Sequence, residues 1–174
     1  GGIGFVVWWD VLRVLKESKG RKKNCFRKLT LHSKIAISAS AFLIVTGALC
    51  VLAFEYNNPA TIGNYSLGGK IQASLFQSVT TRSAGFCTIP QQNLTDSTAI
   101  LSLLFMFIGG SPVGTAGGIK TVTIAVLIAS AVATIRNKDE LIVFHRTIPI
   151  QAISKSVAVV SVSFMVMFTS TVLL

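Results

Sequence analysis

The most restrictive feature of this sequence is a run of twenty residues, from Ile35 to Phe54, that contains no charged side chain. A helix of that length covers ~30 Å, which is the thickness of the hydrocarbon core of a bilayer. The whole chain of 174 residues is 51% hydrophobic and only 13% charged, which is too apolar for an ordinary soluble domain. We therefore predict an all-α polytopic membrane protein in which residues 35–54 form a span.

Basic residues are concentrated on one side of this run. The chain has 16 Lys and Arg against 6 Asp and Glu, and nine of the basic residues lie in residues 10–34, directly before the span. Positively charged loops of membrane proteins face the cytoplasm. We therefore predict that residues 10–34 form a cytoplasmic loop and that Glu55 lies on the outside. Because the excess charge belongs to such a loop, we do not expect nucleic-acid binding.

A short helix and a polar loop follow the first span. Ile71, Leu75 and Val79 recur at helical spacing within residues 70–79, yet a helix of about ten residues cannot cross a bilayer. Residues 80–87, "TTRSAGFC", come next. Non-helical backbone survives at membrane depth only where it is buried in protein or lines a water-filled path. The pattern predicts a re-entrant pore helix and filter loop, and an ordinary external loop with a glycine turn is the alternative.

The polar loop has the groups that a cation path needs. Backbone carbonyls can replace the water around a cation without adding a fixed charge that traps it. Gly85 has no Cβ, so it can take a positive φ and turn successive carbonyls toward one axis. Arg82 would repel a cation, so we expect its side chain to point away from the path and to hydrogen-bond the scaffold of the loop.

A second apolar segment, residues 97–135, contains a single charge, Lys120. As one helix its 39 residues would be ~58 Å long, nearly twice what a bilayer needs. Five glycines and a proline interrupt it at residues 109–118, "GGSPVGTAGG", and these residue types disfavour helix interiors. We predict a broken span whose intramembrane loop obstructs or opens a pore. For Lys120 the alternatives are a functional charge and a side chain that extends to the membrane surface.

Residues 136–155 carry four basic residues and are predicted as a second cytoplasmic loop, and residues 156–174 begin another span. The chain starts at Gly1 and stops within an apolar run, so we expect it to be an internal fragment. The acidic residues are scattered, and we recognise no Ser-His-Asp set and no metal-type cysteine spacing. We therefore expect neither an enzyme nor a covalent cofactor.

Three motifs resemble the Trk/Ktr/HKT superfamily of potassium transporters, and within it the bacterial KtrB/TrkH-type membrane subunits. "SVTTRSAGF" at 78–86 is similar to the third of the four pore loops of that family. "GGSPVGTAGGIKT" at 109–121 is similar to the intramembrane loop that follows it, and "GGIGF" at 1–5 to the second helix of the preceding repeat. The resemblance covers essentially the whole chain.

The resemblance implies a potassium-channel-like architecture, with four non-identical helix, pore loop, helix repeats around one pore. Residues 1–9 would end the second repeat, residues 35–135 would be the third repeat with a broken second helix, and residues 156–174 would open the fourth. The implied filter residues are Thr80, Thr81, Arg82, Ser83, Ala84 and Gly85, with K⁺ at the carbonyls of Thr80, Thr81 and Gly85. The implied gating residues are Gly109, Gly110, Ser111, Pro112, Gly114, Thr115, Gly117, Gly118 and Lys120.

The chain departs from the family pattern at two places. The usual loop reads "GGSPGSTAGGIK", whereas here Val113 and Gly114 replace the Gly-Ser pair, and this bears on the flexibility of the loop. Cys87 stands where a small polar residue is more usual, and this bears on the outer mouth.

By resemblance the whole protein would be a potassium uptake transporter in the bacterial inner membrane, with multiple spans. It would form a homodimer in membrane lipid and dock on a cytosolic ring of nucleotide-binding regulatory subunits, with Na⁺ as a coupling or activating ion. One repeat leaves a sodium-permeable transporter of the same family as an alternative. A membrane anchor or assembly subunit without transport, its basic loops bound to anionic lipid, is an alternative of another class.

Overall fold

A computed structural model describes residues 2–17, 25–82, 84–114, 116–137, 142–144 and 146–173. This part of the chain is mainly helical. Its helices are α1 (Phe5–Glu17), α2 (Cys25–Lys28), α3 (Leu31–Glu55), α4 (Leu67–Thr80), α5 (Asp96–Phe107), α6 (Thr121–Ile135) and α7 (Ile150–Leu173), with one 3-10 turn at Gln91–Asn93. Two short antiparallel strands, β1 (Ile142–Val143) and β2 (Arg146–Thr147), form a hairpin before α7.

Two of these helices, α3 and α7, are long and apolar enough to cross a membrane. α3 is the centre of the arrangement, because α1, α4, α5 and α6 all contact it, while α7 contacts α6. No described residue of α7 is fully buried. Its apolar surface is therefore available to lipid or to other segments of a longer protein.

Two clusters of buried apolar residues connect segments that are distant in the chain. One joins α3, α6 and the segment before α7 through Ile35, Val126 and Ile148. The other joins the connections on either side of α4 through Ile62, Ala73 and Ile89. The segment that follows α4 is therefore anchored in a packed cluster, because Ile89 belongs to this cluster and is 2% exposed.

The helix boundaries differ from the sequence prediction at the cytoplasmic segments. The predicted loop 10–34 is helical at its beginning, because α1 continues to Glu17 and packs a stripe of Val7, Asp10 and Val14 inward. At its other end α3 begins at Leu31, where the side chain of Thr30 accepts the N–H of Ser33 at 3.3 Å and so caps the helix. Residues 18–24 lie outside the described residues.

The described part of the second predicted cytoplasmic loop, residues 136–155, also contains regular secondary structure. It contains the β1–β2 hairpin, in which Val143 pairs with Arg146. It also contains the first turns of α7, which begins at Ile150 directly after Pro149. Proline is tolerated near a helix start, where its missing N–H has no intrahelical partner to lose.

A buried carboxylate joins α1 to the start of α3. Asp10 accepts the backbone N–H of Thr30 at 2.8 Å and its hydroxyl at 2.9 Å, and Arg13 donates to the same carboxylate at 2.6 Å. Thr30 immediately precedes α3, so this contact lies before the membrane-length helix. It ties two segments that are twenty residues apart in the chain.

Candidate functional site

The predicted filter segment, residues 80–87, begins in the last residue of α4, the predicted pore helix. The carbonyl of Thr80 accepts the N–H groups of Ala84 and Gly85, at 3.1 and 3.4 Å. The hydroxyl of Thr80 donates to the carbonyl of Phe86 at 2.5 Å. The filter segment therefore closes into a tight turn directly after the helix.

Gly85 adopts the positive φ expected from its sequence position, +79°. A Cβ added there would meet no other atom within 4 Å. The need for glycine at this position is therefore set by backbone conformation and not by packing, since L side chains disfavour this region of φ.

Arg82 lies against the scaffold, as expected. Its two terminal nitrogens are both 3.4 Å from Ser40 of α3, one from the carbonyl oxygen and one from the hydroxyl. The guanidinium group is thus directed at the neighbouring span. Sequence reasoning anticipated such a contact but gave no means of identifying Ser40 as the partner.

One implied filter residue is placed differently from the prediction. Thr80 lies within α4, and its carbonyl already accepts two N–H groups, so it is less available to an ion than a free carbonyl. Ser83 lies outside the described residues, as does Thr115 of the glycine-rich loop. Ala84 is exposed in the turn.

The glycine-rich loop, residues 109–118, separates α5 from α6 and is closed at its neck. Ile108 and Ile119 pair as a parallel bridge, with the N–H of Ile119 donating to the carbonyl of Phe107 at 3.0 Å. The N–H of Thr121 donates to the carbonyl of Gly110 at 3.1 Å. The end of α5 and the start of α6 therefore lie side by side, and the glycine-rich loop projects from the point where they meet.

Two glycines are required at this neck. A Cβ on Gly109 would lie 1.6 Å from the carbonyl oxygen of Gly117. The two limbs of the loop can therefore approach each other this closely only if residue 109 is glycine. Gly118 has φ +72°, and a Cβ there would meet the carbonyl oxygens of Met106 and Phe107 at 2.9 Å. Gly114 is half-buried and Gly117 is exposed.

Val113 is the unusual residue of the loop. It has φ +59°, although it is β-branched, and its side chain is 62% exposed. Such a conformation costs a β-branched residue about 1–2 kcal/mol. It is also one of the positions at which the sequence departs from the loop pattern of the family that it resembles.

The N-terminal "GGIGF" motif packs against the glycine-rich loop. The N–H of Ser111 donates to the carbonyl of Gly2 at 2.7 Å, and the N–H of Phe5 donates to the carbonyl of Val113 at 3.2 Å. Gly4 has φ +83°, and a Cβ there would lie 2.4 Å from the carbonyl oxygen of Pro112. We call this contact the N-terminal clasp.

Lys120 folds back onto the loop. Its Nζ donates to the carbonyl of Ala116 at 2.7 Å, so the ammonium group is not extended toward a membrane surface. Nearby, the hydroxyls of Ser111 and Thr121 are 3.3 Å apart and both are fully buried. The polar groups at the base of the loop therefore bind one another or the loop backbone.

The filter segment and the glycine-rich loop face a common cavity of about 480 Å³. Its lining includes Val79 of α4, three residues of the predicted filter segment (Arg82, Ala84 and Phe86) and Ala116 of the glycine-rich loop. Residues of the two segments therefore line the same cavity. Among the described ranges, no group of three or more His, Cys, Asp and Glu side chains could hold a metal ion.

A pair of glutamines near the filter segment was missed by sequence reasoning. Gln77 of α4 and Gln91 of the 3-10 turn exchange two amide hydrogen bonds, with N···O distances of 2.8 and 3.1 Å. Gln77 is completely buried. No feature of the sequence marks this pair, because neither glutamine interrupts the residue pattern of its own segment.

The chain matches known proteins over its full length. The TrkH family of cation transport proteins matches residues 1–174. The Ktr system potassium uptake protein B of Bacillus subtilis (strain 168) is 36% identical over 168 residues, covering 97% of this chain and 36% of that protein. The protein of the same name from Vibrio alginolyticus is 32% identical over 174 residues, covering 100% of this chain and 37% of its own length.

A relative with a different name is the potassium/sodium uptake protein NtpJ of Enterococcus hirae. It is 34% identical over 148 residues, which are 85% of this chain and 31% of that protein. The chain spans about a third of the length of these curated relatives.

Fold and comparisons together indicate a mainly helical protein of the membrane transporter class, with two helices long and apolar enough to cross a membrane. The chain belongs to the TrkH cation transport protein family, which is a family of transporters rather than enzymes.

Proposed function

We propose that this chain supplies one pore-loop repeat, with parts of its two neighbours, to the pore-forming subunit of a potassium uptake transporter. The observation that carries the proposal is the common cavity, because the filter segment and the glycine-rich loop both line it. A path that passes a carbonyl-bearing turn and then a flexible glycine-rich segment has the two parts that selective, gated permeation needs.

Selection would occur at backbone carbonyls of the filter segment. Thr81 follows the C-terminal end of α4, where the helix dipole places about half a negative charge that favours a cation. Among the described residues, no hydrogen-bond donor occupies the carbonyls of Thr81 and Gly85. We therefore favour these two carbonyls over that of Thr80 as ligands for K⁺. Three other repeats would complete the ring, because one turn cannot surround an ion.

Gating would occur at the glycine-rich loop. Its neck is fixed by the Ile108–Ile119 bridge, while the N-terminal clasp holds its far side through Ser111 and Val113. The loop can therefore change position only if the clasp opens. Lys120 is bound to the carbonyl of Ala116, and its positive charge would affect the equilibrium between the two positions of the loop.

A sodium-permeable transporter is the second candidate, because the Enterococcus hirae relative is named for both potassium and sodium uptake. A membrane anchor without transport has less support, since an anchor needs neither the positive φ of Gly85 nor the strained loop at Val113.

By family resemblance the complete protein would be a homodimer in the bacterial inner membrane, docked on a ring of cytosolic nucleotide-binding subunits. Na⁺ would then act as a coupling or activating ion.

The proposal is tested by expressing the full-length protein in bacteria that lack potassium uptake systems and measuring K⁺ and Na⁺ influx separately. We expect K⁺ influx to restore growth at low external K⁺. Equal influx of both ions would favour the sodium-permeable alternative. Absence of influx of either ion, with the protein and its regulatory subunits present in the membrane, would favour the anchor.

A further inference from the structure

The Gln77–Gln91 pair closes the segment that contains the filter. Gln77 lies one turn before the end of α4, and Gln91 is the first residue of the 3-10 turn that follows the loop. Each side-chain amide donates to the carbonyl oxygen of the other. A reciprocal pair of this kind satisfies one donor and one acceptor of each amide and fixes both side chains in one plane.

A second contact closes a shorter stretch of chain inside the one that the glutamine pair spans. Within the loop, the hydroxyl of Thr80 binds the carbonyl of Phe86, which shapes the turn around Gly85. Gln91 also donates to the carbonyl of Ile89 at 3.0 Å, and Ile89 is packed in the apolar cluster with Ile62 and Ala73. The returning limb of the loop is thereby held at its base. The glutamine pair adds a hydrogen-bonded link to α4 beside the apolar contact of Ile89 with Ala73.

We propose that Gln77 and Gln91 are positioning residues for cation selection, which rests on the proposed function of the filter segment. They do not touch the ion. They hold the two ends of the loop at a fixed separation, and this limits how far its carbonyls can move inward. Carbonyls that are free to move can close around the smaller Na⁺ ion, so a loosened loop loses preference for K⁺.

The chemistry of the pair suits this role. Two amides carry no net charge, so the link adds no electrostatic barrier or trap beside a cation path. Gln77 is completely buried, and an unpaired amide there would be costly, which favours the closed arrangement. Gln91 is exposed, so its substitution removes the link without opening a cavity in the core.

The test uses the full-length transporter with Gln91→Met and with the double substitution Gln77→Met and Gln91→Met. Methionine has nearly the length of glutamine but cannot form the amide pair. Gln92→Met is the matched control, because Gln92 is the exposed neighbour in the same turn and its side chain makes no hydrogen bond among the described residues. The readouts are the ratio of K⁺ to Na⁺ influx, the KM for K⁺ and the maximal influx, with the amount of folded protein measured by thermal unfolding.

We expect Gln91→Met to lower the K⁺ to Na⁺ ratio by about fivefold, because both hydrogen bonds of the pair are lost and the ends of the loop can then move apart. The double variant should resemble the single one, because the two residues act as a unit. The KM for K⁺ should rise more than the maximal influx falls, whereas a general loss of folded protein would lower the maximal influx alone. Gln92→Met should leave the ratio unchanged.

The inference is overturned if folded Gln91→Met and double-variant proteins keep the wild-type ratio. If they keep it while Gly85→Ala changes it, the filter assignment stands and only the positioning role is lost. If Gly85→Ala also leaves the ratio unchanged, the filter assignment itself is lost.

Discussion

The carboxylate of Glu55, the last residue of α3, accepts both the backbone N–H and the hydroxyl of Thr95, at 2.9 and 2.8 Å. Thr95 is the N-cap of α5 and lies forty residues further along the chain. Asn58 and Thr61 donate to the second carboxylate oxygen, both at 2.7 Å, and Glu55 is completely buried. One carboxylate therefore ties the end of α3 to the start of α5.

Substitution of Glu55 tests this tie. Glu55→Gln replaces one acceptor oxygen with a donor that faces other donors, and hydrogen bonds to a buried charge are worth about 1.5–3 kcal/mol. We expect the full-length protein to be destabilised by about 2 kcal/mol in thermal or denaturant unfolding in detergent. Asp96→Asn is the control, because Asp96 is the adjacent exposed acid and should cost at most about 1 kcal/mol. Equal stability of Glu55→Gln and wild type would show that the tie is not needed.

The Asp10–Thr30 contact predicts a dependence of stability on pH. Burial raises the pKa of the Asp10 carboxyl, but hydrogen bonds from the Ser33 side chain and from Thr30 outweigh it. With the positive charge of Arg13 added, the pKa lies below its ordinary value of 3.8. A lowered pKa stabilises the folded state above the ordinary value, and this contribution is lost as the pH falls through the lowered one.

Asp10→Asn should therefore unfold at a lower temperature than wild type at neutral pH, and the gap should narrow as the pH falls below 3.8. The measurement is the unfolding midpoint of both proteins across that range. Glu17→Gln, an exposed acid at the end of α1, should show no such convergence. A gap that is constant with pH would contradict the assignment.

Much of this arrangement could be predicted from the sequence. The charge-free run before Glu55 predicted a span because its length matches a bilayer, and glycine and proline predicted a break between α5 and α6 because both disfavour helix interiors. Such rules depend only on the local sequence, so they need no knowledge of neighbouring segments. The positive φ of Gly85 followed in the same way.

The rest depends on contacts between residues far apart in the chain. The contacts of Glu55 with Thr95, Arg82 with Ser40 and Gln77 with Gln91 join residues fourteen to forty-two positions apart, and no periodicity encodes them. The cytoplasmic segments were underestimated for another reason. Basic charge predicted the side of the membrane, but it says nothing about whether α1 continues as a helix or whether a hairpin forms at Val143.

The strain at Val113 predicts a stabilising substitution. Asparagine tolerates a positive φ better than a β-branched residue does, so Val113→Asn should stabilise the full-length protein by about 1 kcal/mol in the unfolding assay. The side chain is exposed, so little buried surface is lost. Val113→Thr is the matched control, since threonine is polar but has the same branching and should give no gain. A gain of the same size from threonine would assign the effect to polarity and not to backbone strain.

The N-terminal clasp predicts that substitution of Gly4 changes ion influx and that substitution of Gly2 does not. Gly4→Ala would place a Cβ 2.4 Å from the carbonyl oxygen of Pro112, at a φ of +83°. It should separate the motif from the glycine-rich loop and raise ion influx severalfold, if the clasp restrains the gate. Gly2→Ala meets no atom within 4 Å and should leave influx at the wild-type level. Influx that is the same in both variants would dissociate the clasp from gating.

The most direct test of the central claim is the K⁺ to Na⁺ influx ratio of the full-length protein with Gly85→Ala. The substitution fits the available space, since no atom lies within 4 Å of the added Cβ, and it perturbs only the backbone at φ +79°. Gly68→Ala in the first turn of α4 is the control, because it also meets no atom within 4 Å but has no positive φ. If this segment selects the ion, Gly85→Ala lowers the ratio by tenfold or more, about 1.4 kcal/mol in relative affinity, and Gly68→Ala does not. An unchanged ratio in folded, transporting Gly85→Ala protein would contradict the account.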